Sequence, residues 1–166
     1  MKHIIKLFTI LLVFSAITSA QTPAQTVPDF TFYKFNGSSF TNKHLDKGKF
    51  LFFIFFDTEC EHCRHAIKYL NDHSIELNKT AMYLLTLDDK EKVKQFMNTY
   101  GKNLQNKTNI TFLQDVKNEF IIKFKPKKYP SIFLYSASKK LLLYDDNEQN
   151  LFMFLAKIKT WSPSSN

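Results

Sequence analysis

Cysteine is scarce in this chain: its 166 residues hold two, Cys60 and Cys63, both in a single C-x-x-C. An exported domain held together by disulfides carries more of them and closes longer loops. A bridge over two intervening residues constrains the unfolded chain little, because the entropic gain grows with loop length. A stabilising staple is therefore a poor account of the pair, which leaves redox work or metal binding. Glycine is scarce as well, three residues against eighteen phenylalanines, and 44% of the chain is hydrophobic, the composition of a packed globule. No lysine–arginine block is dense enough to argue for nucleic acid. The formal charge of +8 favours acidic partners or an anionic surface without identifying one. Internal repeats and low-complexity tracts are absent.

The amino terminus carries a targeting pattern. Lys2 and Lys6 give a basic start, Leu7 to Ile17 is apolar apart from Thr9 and Ser15, and the stretch to Ala20 ends in small residues. This order is that of a secretory signal, with Ala20/Gln21 as the expected cleavage point. The competing reading, a retained anchor, needs a longer run than this one, since a span takes ~20 apolar residues. No cysteine near the cleavage point offers a lipid attachment site. The expected organisation is a signal peptide at 1–20, an extended leader at 21–28, one domain at 29–162 and a tail at 163–166. The mature chain is expected to be soluble and exported, with no stable membrane span.

The remainder alternates between strand and helix patterns. Phe30 to Phe40 reads as a hairpin around the turn signal Asn36-Gly37. Phe50 to Phe56 is seven apolar residues without alternation, the signature of a strand covered on both faces. Cys63, Ala66, Ile67, Leu70, Ser74 and Leu77 recur at helical steps. Thr58-Glu59-Cys60-Glu61 matches a capping box, which would make Thr58 the N-cap and put Cys60 in the first turn. Strands follow at Ala81–Leu87, Ile110–Leu113, Ser131–Tyr135 and Leu141–Tyr144. Helices are expected from Asp88-Asp89 to Tyr100, from Asp115 to Phe124, and from Gln149 to Thr160. The sum is an α/β domain with an antiparallel hairpin at one edge.

A dithiol needs one sulfur that attacks and one that resolves the mixed disulfide. A C-x-x-C at the start of a helix meets both demands, because unpaired backbone N–H groups there stabilise a thiolate. Cys60 is accordingly read as the nucleophile and Cys63 as the more buried resolving thiol. His62 and Glu61, between them, are the residues expected to tune the thiolate. A positive charge or hydrogen bond from His62 would stabilise it and make the disulfide more oxidising.

Residues 52–70, from the apolar strand through Cys60-Glu61-His62-Cys63 into the helix, resemble thioredoxin-fold proteins and, within them, the exported TlpA/ResA-like redoxins of bacteria, in the AhpC/TSA-redoxin superfamily. The likeness extends over the mature chain through Val27-Pro28-Asp29-Phe30, Asn36-Gly37, Lys47-Gly48-Lys49 and Tyr129-Pro130. It implies a thioredoxin fold, a central mixed sheet flanked by helices with an N-terminal β-hairpin extension. It also implies a periplasmic or envelope location, no cofactor, client proteins with cysteines or disulfides, and an upstream redox partner. Pro130 is implied to be cis and to face the dithiol, with the backbone of Tyr129 pairing to an extended substrate chain. Three departures stand out: Ala66 replaces the relatives' glutamate relay, Ile54 replaces thioredoxin's buried aspartate, and Glu59 replaces its tryptophan. Glu59, Glu61 or water is left to move the proton.

Other readings are weaker. Haem attachment fails because Arg64, not histidine, follows Cys63. A peroxiredoxin-type site wants Thr or Ser where Asp57 stands. Zinc would need four ligands, and His62 and His65 are expected to point in different directions, so no metal ligand is assigned. His65 and His73 read as solvated helix-face residues. Lys123, Lys125, Lys127 and Lys128 read as a solvated loop, or as a positive rim that attracts acidic clients. The expected function is disulfide exchange in the reducing direction, against a disulfide oxidase or isomerase and against a non-enzymatic metal-binding or interaction module.

Overall fold

A hairpin opens the fold, with β1 (Thr31–Tyr33) and β2 (Ser39–Thr41) antiparallel and Phe32 opposite Phe40. Gly37, at φ 84°, supplies the left-handed turn position that a side chain would strain. β3 (Phe50–Phe55), β4 (Thr80–Thr86) and β5 (Ile110–Gln114) run parallel, connected through α1 (Glu61–Asp72) and α2 (Lys90–Tyr100). α3 (Glu119–Phe124) then leads to β6 (Ser131–Tyr135) and β7 (Leu141–Asp145), and α4 (Leu151–Lys159) is the last helix among the described residues. The seven strands form one mixed sheet in the order β2-β1-β5-β4-β3-β6-β7, with β6 antiparallel to β3 and β7 to β6. The hairpin joins the sheet through a single antiparallel pair, Tyr33 with Gln114. This is the thioredoxin-type arrangement with an N-terminal hairpin that the resemblance implied. The computed structural model describes residues 22–160, so the signal segment, its cleavage point, Trp161 and the tail lie outside the described residues.

β3 explains why its sequence does not alternate. Side chains on a strand point to opposite faces in turn, and here both faces are covered. Phe52, Ile54 and Phe56 pack with Cys63, Ala66, Ile67 and Leu70 of α1, Phe96 and Met97 of α2, and Phe154 of α4. Leu51, Phe53 and Phe55 meet the hairpin residues Phe32 and Phe40, Phe120 and Phe124 of α3, and Phe133 and Tyr135 of β6. A fully buried Phe contributes about 1.5–3 kcal/mol over an exposed one, so the phenylalanine-rich second face is a main source of stability. That face clamps α3, the short helix leading to Tyr129-Pro130.

The first helix differs from expectation. Cys60, not Thr58, is the N-cap: its backbone is extended, at φ −76° and ψ 121°, and its sulfur accepts the Cys63 N–H at 3.3 Å. The cause lies one turn upstream. The Asp57 carboxylate accepts the Glu59 N–H at 2.7 Å and its carbonyl accepts the Cys60 N–H at 3.3 Å, which holds residues 57–60 in a turn and delays the helix. The Thr58 hydroxyl is buried without a hydrogen-bond partner. α1 also stops at Asp72, so Ser74 and Leu77, though buried as the spacing implies, belong to the turns that follow it.

The leader is bound to the body of the fold. The Ala24 N–H donates to Phe124 O at 3.0 Å, the Leu141 N–H to Gln25 O at 2.8 Å and the Val27 N–H to Lys139 O at 3.0 Å. The Tyr135 hydroxyl donates to Ala24 O at 3.0 Å.

Candidate active site

The two cysteines meet where β3 ends and α1 begins. Cys60 is half-buried at the cap, and Cys63, a turn deeper on the inner stripe, has no exposed surface. The fold therefore gives one sulfur an opening and withholds the other. Burial, reinforced by a hydrogen bond with Cys60, pushes the Cys63 thiol far above its ordinary pKa. The negative charge of Asp57 raises it further, while the Asp57 backbone N–H works in the opposite sense.

Asp57, which argues against a peroxiredoxin-type site, places a carboxylate whose negative charge bears on Cys63. The signal was there: a carboxylate three residues before Cys60, at the end of a buried strand. Asp88 was also missed; its carboxylate accepts the Thr58 N–H at 2.9 Å and the Thr86 hydroxyl at 3.3 Å, tying the loop before Cys60 to the end of β4. Glu59 and Glu61 are both exposed, and Glu61 lies in the first turn of α1. Ala66 and Ile54 are wholly buried, so the two positions that carry carboxylates in relatives are apolar core here.

The Tyr129–Pro130 bond is cis, as the resemblance implied, and Pro130 is buried ahead of β6. Tyr129 is half-buried, its ring 4.7 Å from that of Phe55. Burial, then the charges of Asp57, Asp88, Cys63 and Asp115, push its hydroxyl up to about 12, so it stays a hydrogen-bond donor at neutral pH. Beside it runs a shallow groove of 120 Å³ lined by Phe55, Ile121, Pro126, Lys127, Lys128 and Tyr129. α3, which shapes that groove, is held by Asp115: its buried carboxylate accepts the backbone N–H groups of Glu119 at 2.9 Å and Phe120 at 2.7 Å.

His65 lies exposed on the face of α1, as its spacing implies, but it does not stand apart from His62. His62 directs Nδ1 to Glu148 Oε1 at 2.9 Å, and His65 approaches the same oxygen at 3.9 Å. The expectation that the two rings diverge is thus overturned, because positions three apart lie on one helix face. His73 caps the end of α1 and pairs with Glu76 at 3.0 Å, and His44 completes a capping box with Thr41. Of the lysine run, Lys123 pairs with Glu119 at 2.7 Å, Lys128 lies 3.8 Å from Asp146, and Lys127 sits over the Tyr144 ring. These local engagements fit a solvated loop better than a free positive rim.

Comparison with known proteins supports the same frame. A model of the AhpC/TSA family matches residues 23–143. No curated protein matches the chain. Among solved structures, the thioredoxin domain of a thiol-disulfide oxidoreductase from Bacteroides vulgatus aligns with a TM-score of 0.64 at 20% identity, covering 83% of this chain and 98% of that one. A secreted disulfide oxidoreductase of Mycobacterium tuberculosis aligns at 0.62 and 19% identity, covering 77% and 95%. A peroxidoxin of the same organism aligns at 0.69 and 14% identity, covering 86% and 99%. At these identities the likeness is one of fold.

Proposed function

The chain belongs to the AhpC/TSA family, and from that membership together with the unequal burial of its only two cysteines we propose that it is a thiol–disulfide oxidoreductase acting through Cys60 and Cys63. The observation that carries the reading is the cap: Cys60 occupies the N-cap of α1, partly open to solvent, with the Cys63 N–H aimed at its sulfur. A thiolate there gains from the backbone N–H groups and the positive end of the helix.

The Cys60 thiolate attacks a client disulfide, the client S–S bond breaks, and one client thiolate leaves as the mixed disulfide forms. Cys63 loses its proton and attacks the Cys60 sulfur, releasing the second client thiolate. The client gains two electrons and the Cys60–Cys63 pair becomes a disulfide, which an upstream dithiol reduces again. Because burial disfavours the Cys63 thiolate, the resolving step needs a proton acceptor, and Asp57 is our candidate to receive that proton. The groove beside Tyr129 and Pro130 would seat the client backbone. His62 and Glu61 would tune the reactive thiol, His62 only in part, since the Glu148 carboxylate at 2.9 Å offsets a charge on its ring.

That offset supports the reducing direction over the oxidising one. Export to a bacterial envelope is supported by the basic–apolar–small pattern of residues 1–20 and by the likeness to a secreted mycobacterial oxidoreductase. No helix among the described residues is long and apolar enough to cross a membrane. The test is trapping: Cys63→Ser should accumulate a mixed disulfide between Cys60 and a disulfide-bonded model protein, and Cys60→Ser should not. Equal trapping by both variants would refute the assignment of roles.

A further inference from the structure

We propose that His62, His65 and Glu148 form a divalent-metal site of the zinc class at the rim of the dithiol. The ligand atoms of these three residues all lie within 4.8 Å of one another. His62 Nδ1 is 2.9 Å and His65 Nδ1 3.9 Å from the same Glu148 oxygen. Tetrahedral bonds of about 2.1 Å separate ligand atoms by roughly 3.4 Å. The two observed separations bracket that value, so an ion could enter with small side-chain rotations.

Three features set this cluster apart from a chance surface grouping. The histidines stand one helical turn apart on α1, a rigid element, and both rings converge on one oxygen from a segment more than eighty residues later. Glu148 opens the short helical turn Glu148–Asn150 that leads into α4, and that turn is fixed by Asn147, whose side chain accepts the Gln149 N–H at 3.1 Å. The Glu148 side chain is only 11% exposed, yet among the described residues no lysine or arginine pairs with it. A largely buried carboxylate partnered by two imidazoles is a donor set that a borderline cation completes. Two imidazole nitrogens and one carboxylate oxygen suit Zn²⁺, with a fourth position open to water or an incoming thiolate.

The experiment is calorimetric titration of Zn²⁺ into the untagged protein and into its Cys60→Ser/Cys63→Ser variant, which removes the competing thiolates. Saturable binding of one ion in the serine variant, weakened by about a hundredfold in both His65→Ala and Glu148→Gln, would establish the site. In the wild-type protein, the ring signals of His62 and His65 should shift with Zn²⁺ while those of His44 and His73 stay, a readout independent of how the variants fold. No saturable binding, binding indifferent to His65→Ala and Glu148→Gln, or binding that vanishes with the cysteines would each overturn the proposal.

Discussion

The unequal burial of the two cysteines makes a quantitative prediction about alkylation. Cys60 is open enough to meet a small reagent, whereas Cys63 has no exposed surface and its thiol is held protonated by burial and by its hydrogen bond with Cys60. A reagent reaches Cys63 only when the first turns of α1 lift from β3. That motion exposes Cys63, Ala66 and Ile67, which pack against Phe52, Ile54 and Phe56. Even a local opening of about 4 kcal/mol leaves roughly one molecule in a thousand reactive at any moment, at 1.4 kcal/mol per factor of ten. Protonation lowers the rate further, since the thiolate is the nucleophile. Reduced protein exposed to iodoacetamide at neutral pH should therefore be modified at Cys60 at least about a thousand times faster than at Cys63, with both equally labelled after unfolding. Peptide mass spectrometry of timed samples reads the two rates. Comparable rates in the native protein would refute the packing argument and with it the division of labour between the sulfurs.

Three further predictions follow the same logic. Asp57→Asn removes a charge that raises the Cys63 pKa, so that pKa should fall while remaining above the ordinary thiol value because burial persists; thiolate absorbance against pH checks the direction. Phe124→Ala empties a fully buried position ringed by Phe30, Phe32, Phe53, Phe120, Phe133 and Tyr135, and should cost about 3–5 kcal/mol in urea unfolding. Glu119, whose carboxyl is held below its ordinary 4.5 first by Lys123, also accepts the Thr31 N–H at 2.9 Å. A depressed folded pKa gives stability that is present above 4.5 and lost as the pH falls below it. Glu119→Gln should therefore flatten the acid limb of the stability profile, and an unchanged limb would contradict the assignment.

Much of the fold was legible because its signals are local. Seven apolar residues without alternation identify a strand covered on both faces, and the three- and four-residue spacings among Leu151, Phe154, Leu155 and Ile158 identify the buried side of α4. Asp89 and Gly101 bound α2 where a capping residue and a terminal glycine would be sought. The start of α1 was misread because the capping-box pattern weighs Thr58 and Glu61 alone. The turn made by the Asp57 side chain competes for the same backbone and wins. The pairing of His62 with Glu148 was invisible for a different reason: the residues are 86 positions apart, and only the packing of the turn Glu148–Asn150 against α1 brings them together. Asp88 was hidden likewise, since it reaches the loop before Cys60 only through the Thr58 N–H, thirty positions away.

Whether Cys60 and Cys63 cycle between dithiol and disulfide is read by an equilibrium titration against defined thiol buffers with alkylation readout. We expect a reversible two-electron couple near about −250 mV or lower, the range of a reductase fed by an upstream donor. A reversible couple near about −120 to −180 mV would reverse the proposed direction. The absence of any reversible couple would mean that Cys60 and Cys63 do not exchange disulfides.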